Sequence, residues 1–193
     1  RTTADMTGAF LRIRAIESQL RKTTEIDPLT GVMNRRAFLA TLLSETARSL
    51  RRGHPLVLAI ADLDHFKDIN DTFGHDIGDQ VLRETAQAMR HEMRAEDRVG
   101  RLGGEEFGIL LPETDCGEAR SALERIRQTV ASIRRAGASG DSHYSASPRI
   151  SIGFSLFRGR GDSSKALYRR ADQALYRAKA AGRNRVEGDG TLP

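Results

Sequence analysis

Several features that would point this chain elsewhere are scarce or missing. It has a single cysteine, Cys116, which excludes an internal disulfide and any cysteine-built zinc site. Cys116 stands among polar residues at a predicted helix start and reads as incidental. Aromatic residues are only 5% of the 193 and are not interleaved with a basic block. The formal charge is +5 and the pI about 9.9, yet 31 Lys and Arg are mixed with 26 Asp and Glu along the whole length. A nucleic-acid binder or polymerase needs a basic template surface, and none stands out. A nucleoside triphosphate accounts for local basic sites equally well. No apolar run is long enough to cross a membrane and no signal peptide is visible, so a cytoplasmic setting is expected. The chain starts at Arg1 without an initiator Met and reads as part of something longer, whose missing N-terminal region could carry a sensor or a membrane anchor.

What is present is enough apolar residue, 38% of the chain, for one sizeable core. Residues 1–26 form a distinct segment in which Met6, Ala9, Ile13, Ile16 and Leu20 alternate threes and fours, the seam of a heptad repeat. Two readings stay open for it: an amphipathic helix packed on its own domain, or the end of a signalling helix and coiled-coil stub. Asp27-Pro28-Leu29-Thr30-Gly31 breaks that segment. Asn34 is placed to cap a helix whose buried stripe is Phe38, Leu39, Leu42, Leu43 and Leu50, stopped at Gly53-His54-Pro55.

Residues 56–61, LVLAIA, read as a central strand delivering Asp62-Leu63-Asp64 at its C-terminal end, where open α/β sheets commonly bind ligands. A long helix follows with Ile77, Val81, Leu82, Ala86, Met89 and Met93 on one side. Another runs from Glu113 to about Arg135 through Ala119, Leu123, Ile126 and Val130. Residues 137–148 read as a mobile loop, residues 149–157 as a strand, and Lys165 to Ala181 as the last helix, with Gly182 placed to stop it. Arg185 to Glu187 add an edge strand. The expected boundaries are a linker over 1–26, a catalytic domain over 27–187 and a tail over 188–193.

The stretch RVGRLGGEEFGILL, residues 98–111, places Gly103 and Gly104 at the turn of a β-hairpin with Glu105 and Glu106 at its tip. Bare backbone beside paired carboxylates suits a metal-bound polyphosphate, although an ordinary solvated turn has the same appearance. If this hairpin neighbours the strand ending at Asp62, the three carboxylates converge at one rim of the sheet, where Mg²⁺ could be held. Asp64, two residues from Asp62, falls on the same strand face, as a metal ligand or as a structural acid. Lys179 and Arg183 are four apart and potentially on one helix face, where they clamp phosphate or are simply solvated. Arg94 and Asp97 form an R-x-x-D nine residues before Gly103, in isolation a helix-end ion pair.

These segments together resemble the GGDEF diguanylate cyclases over roughly residues 24–187. The resemblance is carried by DPLTGVMNRR at 27–36, DLDHFKDINDTFGHDIGD at 62–79, RLGGEEF at 101–107, SIG at 151–153 and ADQALYRAKAAGRN at 171–184, in the family's order and spacing. GGEEF is a variant of the GGDEF signature with the same ligand chemistry.

The resemblance implies an α/β (α+β) single domain: a central mixed sheet surrounded by helices, similar to nucleotide-cyclase and polymerase palm folds, preceded by an N-terminal helix. It implies condensation of two GTP into cyclic di-GMP with release of pyrophosphate, in a homodimer that faces two domains together, with Mg²⁺ or Mn²⁺ as cofactor. By motif position, Asp62, the Leu63 carbonyl, Glu105 and Glu106 are implied metal ligands, and Glu105 also the base or orienter for the 3′-hydroxyl. Gly103 and Gly104 admit the phosphates, Phe66 and Lys67 contact them through backbone or side chain, and Lys179 and Arg183 grip their far end. Asn70 and Asp79 read guanine. Arg94 and Asp97 match the family's product-inhibition site, which recruits a further arginine that the motif does not identify. A catalytically silent cyclic di-GMP receptor is the alternative within the family, but the intact signature speaks for the enzyme.

Overall fold

In the computed structural model, residues 25–133, 135–136, 145–146 and 148–190 are described. The heptad positions at 6–20 and most of the 137–148 loop lie outside them. The elements are β1 (Met33–Asn34), α1 (Arg35–Arg52), β2 (Leu56–Asp64), α2 (Phe66–Phe73), α3 (His75–Glu92), β3 (Arg98–Gly103), β4 (Glu106–Pro112) and α4 (Cys116–Ser132). Then come β5 (Arg135–Ala136), β6 (Ser145–Ala146), β7 (Arg149–Leu156), α5 (Ser164–Ala180) and β8 (Val186–Gly188). Six strands form one mixed sheet in the order β1-β3-β4-β2-β7-β8, with the two edge pairs parallel and the inner pairs antiparallel. β5 and β6 make a separate two-stranded ladder.

β2 is buried along its whole length because helices cover both faces of the sheet. Val57, Ala59, Ala61 and Leu63 point into a core shared with α3 and α4, whereas Leu56, Leu58 and Ile60 point into a second core shared with α1 and α5. Strand periodicity then sends Asp62 and Asp64 towards α5. The strand continues through Asp64 rather than ending at Ala61, so these two acids belong to the sheet and not to a loop.

α1 begins where expected, with the Asn34 side chain accepting from the Ala37 amide at 3.0 Å, and ends on left-handed Gly53 at φ 71°. Its stripe is narrower than the sequence suggested. Phe38 and Leu42 are buried, but Leu43 is 61% and Leu50 49% exposed, because α1 packs on the sheet along one narrow line rather than a broad face. α4 starts at Cys116 behind a capping box in which Asp115 accepts from the amides of Gly117 and Glu118, and Glu118 answers to the Asp115 amide. α5 lies so close to β7 that a Cβ on Gly153 would stand 1.9 Å from the Leu175 backbone nitrogen, so only glycine fits at the end of the SIG motif. Ile26 forms an antiparallel bridge with Met33.

Candidate active site

The hairpin registers against β2 so that Asp62 is directly opposite Glu106, on the strand that also pairs Asp62 with Ser151 of β7. The turn itself is Gly104–Glu105, with Gly104 left-handed at φ 49°, while Gly103 closes β3 and Glu106 opens β4. Both glycines are exposed and Glu105 and Glu106 are half-buried. The structure therefore brings Asp62, Glu105 and Glu106 to one rim of the sheet. Lys179 reaches the same place from the last turn of α5, its Nζ 2.9 Å from Asp62 Oδ1. Burial pushes the Asp62 carboxyl above the ordinary aspartate range; Lys179 draws it back, and the neighbouring Glu105 and Glu106 push it up again.

Such a cluster suits a divalent cation. Among the described residues no three His, Cys, Asp or Glu side chains close into a preformed metal cage. Mg²⁺ does not need one, because it keeps water and phosphate oxygens in its shell and takes one or two carboxylates from the protein. The donors here are all hard oxygens, and the carboxylates disfavour each other's charge, which a cation relieves.

Asp64 has a different occupation from Asp62. Ser151 donates to its Oδ1 at 2.7 Å and the Asn184 amide to its Oδ2 at 2.9 Å, so the acid is buried and fully engaged in holding β7 and the turn after α5. That turn contains Arg183 at φ 62° and Asn184 at φ 46°, both left-handed. Arg183 is thus not on the helix face with Lys179. It stands beyond the C-cap, exposed, its amide donating to the Ala178 carbonyl at 3.0 Å. The Asp64–Asn184 bond, together with Arg127 Nη1 donating to Asn184 Oδ1 at 3.0 Å, holds this turn beside the strand that carries Asp62.

Phe66 and Lys67 open α2, immediately after His65 in the left-handed region, and no side chain caps this helix start. The Phe66 ring is buried in the core, so only its backbone can meet a ligand, whereas Lys67 is exposed. Uncapped first-turn amides are natural anion donors. Asn70 and Asp79 are both half-buried, and Gly78 leaves room for the Asn70 side chain: a Cβ there would sit 1.9 Å from Asn70 Oδ1. Gly78 was not singled out from the sequence; the signal was its place in the GHDIGD segment.

The R-x-x-D pair is more than a helix-end ion pair. The Arg94 amide donates to Asp97 Oδ2 at 2.8 Å, while Asp97 Oδ1 is buried with no hydrogen-bond partner. Burial pushes the Asp97 carboxyl upward. Arg94 and Asp97 line a cavity of about 320 Å³ whose far wall is α4, with Glu118, Ser121 and Arg125. Arg125, ion-paired with Glu92 at 3.5 Å, is a lining residue that the motif did not point to. It stands 22 positions after Gly103 on a separate helix, so no short spacing points to it.

Comparison with known proteins agrees with this architecture. The family profile described as "Diguanylate cyclase, GGDEF domain" matches residues 24–185. The diguanylate cyclase DgcP of Pseudomonas aeruginosa is 44% identical over 175 residues, covering 89% of this chain and 25% of DgcP. The crystal structure of the coiled coil and GGDEF domain of DgcB from Caulobacter crescentus, in complex with c-di-GMP, superposes with a TM-score of 0.80 at 34% identity, covering 96% of each chain. The active GGEEF domain of a Vibrio cholerae diguanylate cyclase superposes with a TM-score of 0.75 at 36% identity, covering 82% of this chain and 98% of that domain. Fold and acidic hairpin together define a nucleotide-cyclase-like domain, and the chain belongs to the diguanylate cyclase GGDEF-domain family. It spans a quarter of DgcP's length. Among the described residues no helix is long and apolar enough to cross a membrane.

Proposed function

We propose that this chain is the catalytic domain, over residues 27–187, of a diguanylate cyclase that condenses two GTP into cyclic di-GMP. The observation that carries the reading is the convergence of Asp62, Glu105 and Glu106 with Lys179 at a glycine turn. Each GTP gives its 3′-oxygen to the α-phosphorus of the other; the α–β phosphoanhydride bond breaks, and pyrophosphate leaves with the electron pair. Two such exchanges close the ring and release two pyrophosphates.

One domain supplies one GTP and half of the reaction site, so two chains face each other. Residues 1–26, with their heptad spacing in the sequence, are the linker that brings them together. Asp62, the Leu63 carbonyl, Glu105 and Glu106 hold Mg²⁺, with Mn²⁺ as substitute. When bound, the ion neutralises phosphate charge and lowers the pKa of the attacking hydroxyl. Glu105 orients the 3′-hydroxyl and takes its proton. Gly103 and Gly104 let the phosphates lie against the turn, the Phe66 and Lys67 amides donate to them, and Lys179 and Arg183 neutralise their far end.

Asn70 and Asp79 read guanine, since a carboxylate accepts from N1–H and the exocyclic amine together, a donor pair adenine lacks. The cavity at Arg94, Asp97 and Arg125 takes product as an inhibitor. Its arginines donate to guanine O6 and N7, and the unpartnered Asp97 Oδ1 accepts from guanine N–H.

The test is incubation of the purified protein with GTP and Mg²⁺, with chromatographic analysis of the nucleotides. Cyclic di-GMP and pyrophosphate in a one-to-two ratio, abolished by a chelator, are the expected result. Tight cyclic di-GMP binding without turnover would instead identify a silent receptor.

A further inference from the structure

Three carbonyls around the glycine pair, those of Leu102, Gly104 and Glu105, are each met by a donor, two of them from outside the hairpin and one from its own strand β3. The β3–β4 register shifts between Arg101 and Gly103, so Leu102 is an extra, bulged residue. Its carbonyl accepts from Arg35 Nη1 of α1 at 3.2 Å. The Gly104 carbonyl accepts from Arg101 Nε at 2.8 Å. The Glu105 carbonyl accepts from the Leu63 amide of β2 at 3.4 Å. A polyphosphate is repelled by carbonyl oxygens and attracted by N–H groups, so where these oxygens are held decides which side of the turn can face a ligand.

Arg101 has a second hold. Its Nη1 lies 3.4 Å from Asp27 Oδ1, and both side chains are less than one-fifth exposed. The same carboxylate oxygen accepts from the Thr30 amide at 2.9 Å and the Thr30 hydroxyl at 2.6 Å. One guanidinium therefore joins the turn at residues 27–30, next to the upstream segment, to the carbonyl inside the acidic hairpin.

We propose that Arg101 is a positioning residue for the reaction: held by Asp27, it fixes the Gly104 carbonyl and so sets where Gly104 and Glu105 stand relative to Asp62. Arg101 touches neither substrate nor metal; it acts through the turn. The inference rests on the reading of the hairpin as the phosphate and metal site. Its rival is that Arg101 merely staples residues 27–30 to β3, in which case its loss lowers stability and leaves the turnover of the folded protein unchanged.

Steady-state kinetics and thermal unfolding of Arg101→Lys and Asp27→Asn separate the two. Lysine keeps a cation beside Asp27, but its compact ammonium does not reproduce the spread donors of the guanidinium. Arg101→Lys is expected to retain the parent's unfolding midpoint and to lose about 10- to 100-fold in kcat, because an ångström of misplacement costs on that order. KM for GTP should change by less than about 3-fold, since guanine recognition by Asn70 and Asp79 is untouched. Asp27→Asn, which keeps its Thr30 contacts, should lose about 3-fold in kcat, and the double variant should be no worse than Arg101→Lys alone, as expected for coupled residues. A folded Arg101→Lys with kcat within twofold of the parent overturns the proposal. So does a kcat that falls only in step with the folded fraction in both variants. A parent protein that forms no cyclic di-GMP refutes the functional reading itself, which the same series reports separately.

Discussion

Asp62 and Asp64 show how two identical side chains on one strand face come to different work. Asp62 faces Lys179 and two glutamates at the rim, while Asp64 is saturated by Ser151 and the Asn184 amide. Asp62→Asn should therefore abolish turnover, by about 100-fold or more, with little change in stability, since it removes charge at the reacting phosphates. The guanine contacts make a second residue-scale prediction. Gly78→Ala forces a Cβ into Asn70 Oδ1 and should lower kcat/KM for GTP by about 10- to 100-fold by displacing the Asn70 amide from its place. Asp79→Ser should relax the preference for GTP over ATP; unchanged discrimination in competition assays would count against Asp79 as the guanine reader. The acids, glycines and cations of the signature were legible from residue order. The split between Asp62 and Asp64 was not, because it depends on Ser151 and Asn184, which approach from distant parts of the chain.

Elements place these residues, and their packing was only partly legible. The apolar run at 56–61 identified the central strand. That strand's burial on both faces hides the period-two alternation that would reveal which side Asp62 takes. α1 misled in the other direction: five apolar residues at helical spacing suggested one buried stripe, but Leu43 and Leu50 face outward.

At the opposite end of the sheet, Arg170 is paired with Asp162 at 2.6 Å and Asp189 at 3.2 Å, and both acids are almost inaccessible. Burial pushes the Asp162 carboxyl up, but Arg170 and the amides of Arg158 and Ser163 outweigh it and hold the group at about 2. A folded-state pKa below the ordinary 3.8 means stability fully present above about pH 4 and lost as pH falls towards 2. Denaturant unfolding between pH 5 and pH 2.5 should show that loss, and Arg170→Ala should lower stability, by about 1–3 kcal/mol, because it takes the shared cation from two carboxylates that keep only their other hydrogen bonds. On α4, Arg125→Ala should weaken product inhibition while leaving the initial rate intact. Inhibition as strong as the parent's would count against α4 as a wall of the proposed inhibitory site.

The molecule as a whole is half of a reaction. On the proposed reading its sheet holds metal ligands, phosphate cations and a guanine reader for one GTP, while the incoming 3′-hydroxyl belongs to the GTP of another copy. The most direct measurement of that claim is the rate of cyclic di-GMP formation when wild-type chain is mixed with Glu105→Gln chain at fixed total concentration. If both halves of each dimer must work, the rate falls as the square of the wild-type fraction. A rate simply proportional to that fraction would show that one chain completes the reaction alone and would contradict the account.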